Sequence, residues 1–100
     1  MRVVAYRHLR SYAQRHPAAA RPLEFWDATV RASTWQSMHD VQRSFSKAKV
    51  LNGERARFEI AGGDFRLIVA FNFPAQIAYV KFIGTHAEYD AIDALTVSMF

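Results

Sequence analysis

The spacing of hydrophobic positions changes near the middle of the chain, from a helical repeat to a strand repeat. In the first half, Leu23, Trp26 and Val30 recur at helical spacing, which predicts an apolar stripe on one helix face. We expect this helix over 18–33, because Pro22 is tolerated in a first turn. Shorter elements are expected around it: an opening strand at 3–6, a helix at 8–16 and a third helix after Ser37.

In the second half, apolar and polar residues alternate, as expected of strands with one buried face. Strands are predicted at 56–60, 65–73 and 76–83, joined by turns at the glycines of positions 62 and 63 and at the proline of position 74. Arg57 lies on the polar side of the first strand, and Arg66 lies opposite the large apolar residues of the second. The pattern predicts an antiparallel meander of three strands.

The order of these elements predicts an α+β fold in one domain that spans residues 1–100. An antiparallel sheet of three or four strands, including the opening strand, would pack against the N-terminal helices. If helices cover only one face, Arg66 points into an open, concave face. The last strand runs into a capping box, Thr85-His86-Ala87-Glu88, which predicts a short terminal helix from His86 to about Ala94.

Composition and charge restrict the function. The chain has 13 Lys and Arg against 9 Asp and Glu, and most of the cations are arginines. A net charge of +4 indicates either a nucleic-acid partner or an acidic protein. The absence of cysteine excludes disulfides and thiolate metal sites. With no membrane-length apolar run, signal peptide, metal-ligand spacing or phosphate loop, we expect a cytoplasmic protein that uses no cofactor.

The terminal helix carries the residues best suited to chemistry. His86 can exchange a proton near neutral pH, although it can equally be a polar first-turn residue. Tyr89 lies on the same helical face, where it can contact a phosphate or a base, or merely cover the sheet. Arg66 is expected to converge with Arg57 and Lys81 on neighbouring strands to hold a phosphate, unless each is only a solvated cation.

A second basic group precedes the sheet. Lys47 and Lys49 lie two residues apart and can bind the backbone of a large RNA, although such a pair is also typical of an ordinary solvated surface.

The segment V-K-F-I-G-T-H-A-E-Y-D-A-I-D, residues 80–93, resembles the HigB toxins of the RelE-like superfamily. These are the toxic halves of bacterial type II toxin–antitoxin systems. The resemblance extends through nearly the whole chain. It includes Phe25-Trp26, Trp35 with the Asp40-Val41 segment, and the strand residues 65–69; the G-T-H-A-E-Y-D string is its most specific part.

The resemblance implies a ribosome-dependent mRNA endonuclease (mRNA interferase) that acts in the 30S A site and is neutralised by a HigA-type helix-turn-helix antitoxin. Such toxins need no metal and use the RNA 2′-hydroxyl as nucleophile. Cleavage of the message inhibits translation. Carried over, His86 would be the acid/base, Arg66 the cation on the scissile phosphate and Tyr89 the residue that positions the substrate. Lys81 and Arg57 would support them.

One residue departs from the family pattern. Many relatives have a basic residue just before the aromatic-arginine pair, whereas this chain has Asp64 before Phe65-Arg66. An acid here can weaken RNA affinity, shift the base role to another residue or reduce activity. It keeps an alternative open, namely a non-catalytic module that binds ribosomal RNA or an antitoxin. A third interpretation, a structural subunit of a larger complex, is supported only by the small size of the chain.

Overall fold

The structure is a computed structural model that describes residues 1–100. Its strands are Arg2–Val4 (β1), Lys49–Val50 (β2), Arg55–Ile60 (β3), Phe65–Asn72 (β4) and Ile77–Thr85 (β5). Its helices are Tyr6–Arg15 (α1), Ala20–Arg31 (α2), Met38–Ser44 (α3) and His86–Asp90 (α4), and a 3-10 turn at Pro17–Ala19 precedes α2. The expected α+β class is confirmed. No helix is long and apolar enough to cross a bilayer.

The five strands form one mixed sheet in the order β1-β5-β4-β3-β2. The predicted antiparallel meander is present as β3, β4 and β5. The opening strand joins the sheet, as expected, but β1 pairs with β5 in parallel; the two-residue β2, which pairs with β3, was not predicted. The expected count of three or four antiparallel strands is therefore too low. A strand of two residues, such as β2, is too short to show a recognisable alternation.

The N-terminal helices α1, α2 and α3 pack on one face of the sheet, and aromatic rings fill much of the space between the layers. The predicted stripe of Leu23, Trp26 and Val30 is buried. The ring of Trp26 meets that of Phe58 edge-on at 5.6 Å, and Phe58 in turn contacts Phe71 of β4. Edge-to-face packing of this kind suits the ring quadrupoles and holds the helical layer against the meander.

Several helix boundaries differ from those expected. The first helix begins at Tyr6, the second at Ala20 after the 3-10 turn, and α4 ends at Asp90 rather than Ala94. Ser37 occupies the N-cap of α3, as predicted, but its hydroxyl makes no capping hydrogen bond. Instead the Asp40 carboxylate accepts from the backbone N–H of Gln36 at 2.8 Å.

The second face of the sheet is not open across its middle, because residues 91–100 fold back over it. Nη1 of Arg55, on β3, donates to the carbonyls of Ala94 and Val97 at 3.2 and 2.8 Å. The backbone N–H of Met99 donates to the carbonyl of Lys81, on β5, at 2.8 Å. The segment therefore crosses β4. The prediction of an open face is wrong here, since strand periodicity cannot show where a terminal segment packs back on the sheet.

Candidate functional site

The short helix α4 starts directly at the end of β5, and the predicted capping box fixes it there. The Thr85 hydroxyl accepts from the Glu88 backbone N–H at 3.1 Å, and Glu88 Oε1 accepts from the Thr85 backbone N–H at 2.8 Å. The N–H of His86 also donates to the carbonyl of Asp64 at 3.1 Å. These three hydrogen bonds set the direction in which α4 leaves the sheet.

Gly84 lets the chain pass close to its neighbours just before this helix. A Cβ on Gly84 would lie 2.6 Å from Cζ of Phe82 and 3.2 Å from Cβ of Glu88. Only glycine fits between these two side chains without displacement. The Phe82 ring in turn lies 6.4 Å from the ring of Tyr89, on α4. The glycine thus brings α4 close enough for Tyr89 to cover the sheet face.

Beneath Tyr89 lie two arginines from adjacent strands. Arg66 on β4 is buried, with 9% of its surface exposed, and Arg57 on β3 is partly buried. Their guanidinium carbons lie 5.8 and 5.9 Å from the centre of the Tyr89 ring. Both distances fall within the range for cation–π attraction. The expected convergence of Arg57 with Arg66 is therefore present, with Tyr89 as the third member.

A single carboxylate faces both arginines. Glu59, the cross-strand partner of Arg66, places Oε1 3.8 Å from a nitrogen of Arg66 and 3.9 Å from one of Arg57. These contacts are longer than hydrogen bonds. Arg66 Nε donates to the Gly63 carbonyl at 3.2 Å, whereas the buried Nε of Arg57 has no partner. The pair therefore keeps an excess positive charge and unused donors, as an anion site requires.

Lys49 extends this positive surface, and Lys47 lies at its edge. Lys49 on β2 is directly opposite Arg57, so the two side chains share a face of the sheet. Like charges directly opposite each other repel, and an anion between them would relieve that repulsion. Lys47 is exposed and lines a cavity of about 340 Å³ together with Glu59.

Lys81 lies apart from the arginine pair, contrary to the expected convergence. The pairing of β4 with β5 shifts register between Ile68 and Val69, which leaves Lys81 without a cross-strand partner. Its Nζ lies 5.6 Å from the centre of the Tyr79 ring, on the same strand. A bulge of this kind redirects side chains, and alternation along the sequence does not show where it occurs.

His86 is exposed at the start of α4, and Asp90 orients its ring. Nδ1 of His86 lies 3.0 Å from Oδ2 of Asp90, one helical turn later. The Nδ1–H group can donate to this carboxylate, which leaves Nε2 free towards solvent. A histidine held through one nitrogen with the other accessible is the arrangement that proton transfer to a substrate requires.

Asp64 affects the site through its backbone. Its carbonyl accepts the His86 N–H, while its side chain is exposed and takes part in no ion pair. Any residue at this position supplies the same carbonyl. The Asp64 carboxylate therefore adds a negative charge near α4 without being needed for its geometry.

The sequence did not identify Glu59 as the shared partner of the arginines, or the contribution of α1. Burial, and to a smaller extent the charge of Glu88, raise the pKa of Tyr12 on α1. The ring of His16 stacks on Tyr12 at 4.2 Å. Residues so far apart in the sequence meet only through the packing of α1 beside the end of β5.

The capping box makes stability depend on pH in the acidic range. The hydrogen bond with the Thr85 backbone N–H, and to a smaller extent the one with the Thr85 hydroxyl, lower the pKa of the Glu88 carboxyl. The nearby positive charges of His16 and Arg15 lower it further. A carboxyl whose pKa falls on folding stabilises the fold above its unfolded pKa of about 4.3. This contribution is lost as pH falls through the folded pKa.

We therefore expect Glu88→Gln to be less stable than the wild type at pH 7, with a difference that shrinks below about pH 4.5. Urea unfolding measured from pH 7 to pH 3 gives this difference in free energy. Glu24→Gln, at an exposed position of α2, is the matched control and should show a smaller difference at pH 7. A Glu88→Gln difference that stays constant over the whole range would contradict the assignment.

The comparison with protein families matches most of this structure. A family model, HigB_toxin, described as the RelE-like toxic component of a toxin–antitoxin system, matches residues 19–92. The matched region includes the arginine pair, Glu59, Tyr89, His86 and all three lysines. It includes neither α1 nor most of the folded-back segment. A comparison with curated proteins finds no significant match. The match covers well over half of the chain, and the protein belongs to the HigB family of RelE-like toxins of toxin–antitoxin systems.

Proposed function

We propose that this toxin is a ribosome-dependent mRNA endonuclease that cleaves without a metal ion. The observation that carries the proposal is the cluster at the end of β5, where Arg57 and Arg66 lie under Tyr89 on the same short helix as His86. A cationic site for a phosphate, an aromatic ring and a proton-transfer group are thus carried on adjacent elements.

The proposed reaction is a transesterification within the RNA strand. The 2′-oxygen forms a bond to phosphorus, and the bond from phosphorus to the 5′-oxygen breaks. A base takes the proton of the 2′-hydroxyl, and an acid supplies one to the departing 5′-oxygen. The products are a 2′,3′-cyclic phosphate and a 5′-hydroxyl. His86 carries out one of the two proton transfers through Nε2, with its ring held by Asp90.

The arginines stabilise the negative charge that develops on the pentacoordinate phosphate. Arg66 is buried and anchored by the Gly63 carbonyl, so little reorganisation is needed when the phosphate arrives. A phosphate can bind both guanidinium groups more closely than Glu59 does at 3.8–3.9 Å. Tyr89 positions the nucleotide by its ring or its hydroxyl. Lys49 and Lys47 bind the backbone of mRNA or ribosomal RNA further along.

As a toxin of a toxin–antitoxin system, the protein has an antitoxin partner. We propose a HigA-type antitoxin with a helix-turn-helix domain. The net charge of +4 suits both the ribosome and the antitoxin. The ribosomal A site is lined with RNA, and an antitoxin can supply carboxylates to the same basic face.

A second function, binding of RNA or antitoxin without cleavage, is favoured by the acidic groups at the site. Glu59 already occupies the space between the arginines, and Asp64 places a further carboxylate beside α4. Both reduce the attraction of the site for phosphate. In this alternative the arginines form a docking surface, and His86 is a solvated first-turn residue.

Controlled induction of the wild-type chain in bacteria distinguishes the two functions. We expect growth arrest within one generation and new 5′ ends inside translated mRNA, carrying 5′-hydroxyl groups. A translation extract supplied with purified protein should give the same cuts in messages that are being translated. Untranslated copies of the message should remain intact. Growth arrest with intact mRNA would instead support the non-catalytic alternative, and normal growth with abundant folded protein would contradict both.

A further inference from the structure

A second cavity lies on the same sheet face, at the end remote from α4. Its volume is about 530 Å³, and its lining includes Glu54, Arg55, Asn72, Phe73, Tyr79 and Lys81. It therefore combines two cations, an amide and aromatic rings around a concave surface, with one opposing carboxylate. Polar residues make up most of this lining, which suits a polar, charged ligand better than an apolar one.

The Tyr79 side chain is available at this cavity. Tyr79 pairs with Val4 on one side and Ala70 on the other, so β5 holds its backbone within the sheet. Its side chain is only partly buried and makes no hydrogen bond within the protein. A ring with a fixed backbone and a partly exposed surface can stack against a base at little entropic cost.

Lys81 supplies the free positive charge of the cavity. Arg55 is already bound through Nη1 to the carbonyls of Ala94 and Val97. Lys81 pairs with no carboxylate, and the register shift leaves its ammonium group 5.6 Å from the Tyr79 ring centre. A cation beside an aromatic ring is the combination that binds a nucleotide, since the ring takes the base and the cation takes the phosphate.

The cavity and the arginine pair lie on the same face at a separation that a strand of RNA can span. Ala70, beside Tyr79, is four residues along β4 from Arg66, which corresponds to about 14 Å. Between them the folded-back segment 91–100 crosses the face. An RNA strand bound at the arginines can reach the cavity by passing over the outside of this segment, with a few nucleotides between the two contacts.

We propose that this cavity is a second RNA-binding site, in which an unpaired base stacks on Tyr79 and a neighbouring phosphate binds Lys81. The inference rests on the proposed function only in that the ligand is single-stranded RNA. The cavity binds a nucleotide a few positions from the scissile phosphate, so it contributes affinity and sequence preference, not chemistry.

Binding measured without cleavage tests the site. All variants carry His86→Ala, and fluorescence anisotropy follows an end-labelled, unstructured 12-nucleotide RNA. We expect Tyr79→Leu, which keeps apolar volume but lacks a ring, to weaken binding about tenfold, and Tyr79→Phe to remain within about twofold of the parent. Lys81→Ala should lower affinity for all sequences and reduce the slope of log K against log salt by about one. Arg21→Ala, on the helical layer, removes a matched charge and should leave affinity within about twofold.

The outcomes separate this site from the proposed function. If the wild-type chain does not cut mRNA but the Tyr79 and Lys81 variants bind RNA as expected, the second RNA-binding site stands and the endonuclease proposal is wrong. Equal binding by Tyr79→Leu and the parent, or no measurable RNA binding by the parent, would overturn the site. Thermal unfolding of each variant checks the fold. Loss of antitoxin binding with unchanged RNA binding would assign the cavity to a protein partner and would overturn it as well.

Discussion

Replacement of His86 by alanine is expected to abolish growth arrest and to lower the rate of mRNA cleavage by at least about a hundredfold. The side chain is exposed and its polar partner is Asp90, so its removal should leave the fold and the arginine pair in place. Single-turnover cleavage in a translation extract gives the rate, and thermal unfolding should give a melting temperature close to that of the wild type.

Two control variants sharpen this test. His39→Ala removes another exposed histidine, on α3, and should leave the cleavage rate unchanged. Asp90→Asn retains His86 but weakens the orientation of its ring, so we expect an intermediate rate. Cleavage by His86→Ala at the wild-type rate would exclude His86 from the reaction and shift the proton transfer to another group.

Arg66→Ala is expected to produce the second largest effect, a loss of about 10²–10³ in the rate of cleavage. Arg66 is the more deeply buried of the two arginines and the one anchored by the Gly63 carbonyl, so its charge is the better fixed for a developing negative charge. Arg66→Lys should recover only part of the rate, because an ammonium group lacks the planar fork that binds two phosphate oxygens.

Because Arg66 is buried and paired, its removal also affects the fold, and the measurement must separate the two effects. Arg66→Ala leaves Glu59 with Arg57 alone, so a lower melting temperature is expected. Arg66→Met keeps most of the side-chain volume without the charge and should be more stable than Arg66→Ala, without regaining cleavage. Recovery of cleavage in Arg66→Met would show that Arg66 acts only through structure.

Glu59→Gln alone tests whether the arginine pair binds a phosphate. If a phosphate replaces the Glu59 carboxylate between the arginines, loss of that carboxylate should tighten RNA binding. The contacts at 3.8–3.9 Å are weak enough for such an exchange. This measurement is an additional arm of the Arg66 test and uses the same labelled RNA.

Much of the site was predictable because its parts depend on local sequence. The capping box needs only Thr85 and Glu88 at the right spacing, and it places His86 and Tyr89 on one short helix. Alternation along β3 and β4 places Arg57 and Arg66 on the face opposite the main core, where the structure has them. Local periodicity and local hydrogen bonds therefore determined the main cluster.

Other parts depend on contacts between residues distant in the sequence. Glu59 is an ordinary polar strand residue until the register of β3 on β4 places it opposite Arg66. The bulge near Val69 redirects Lys81 towards Tyr79, and strand alternation gives no sign of it. Asp64, the departure from the family pattern, has its structural role through a backbone carbonyl that any residue would supply.

The sequence by itself determined the α+β class, the meander and the pairing of His86 with Tyr89 on the last helix. It did so because periodicity and capping are properties of neighbouring residues. Only the tertiary structure decided that residues 91–100 cross the second face and that Arg55 holds them there. A backbone carbonyl accepts a hydrogen bond whatever the side chain of its residue, so the sequence does not reveal these long-range contacts. The division of the basic face into an arginine site and a Tyr79 cavity therefore follows from the fold.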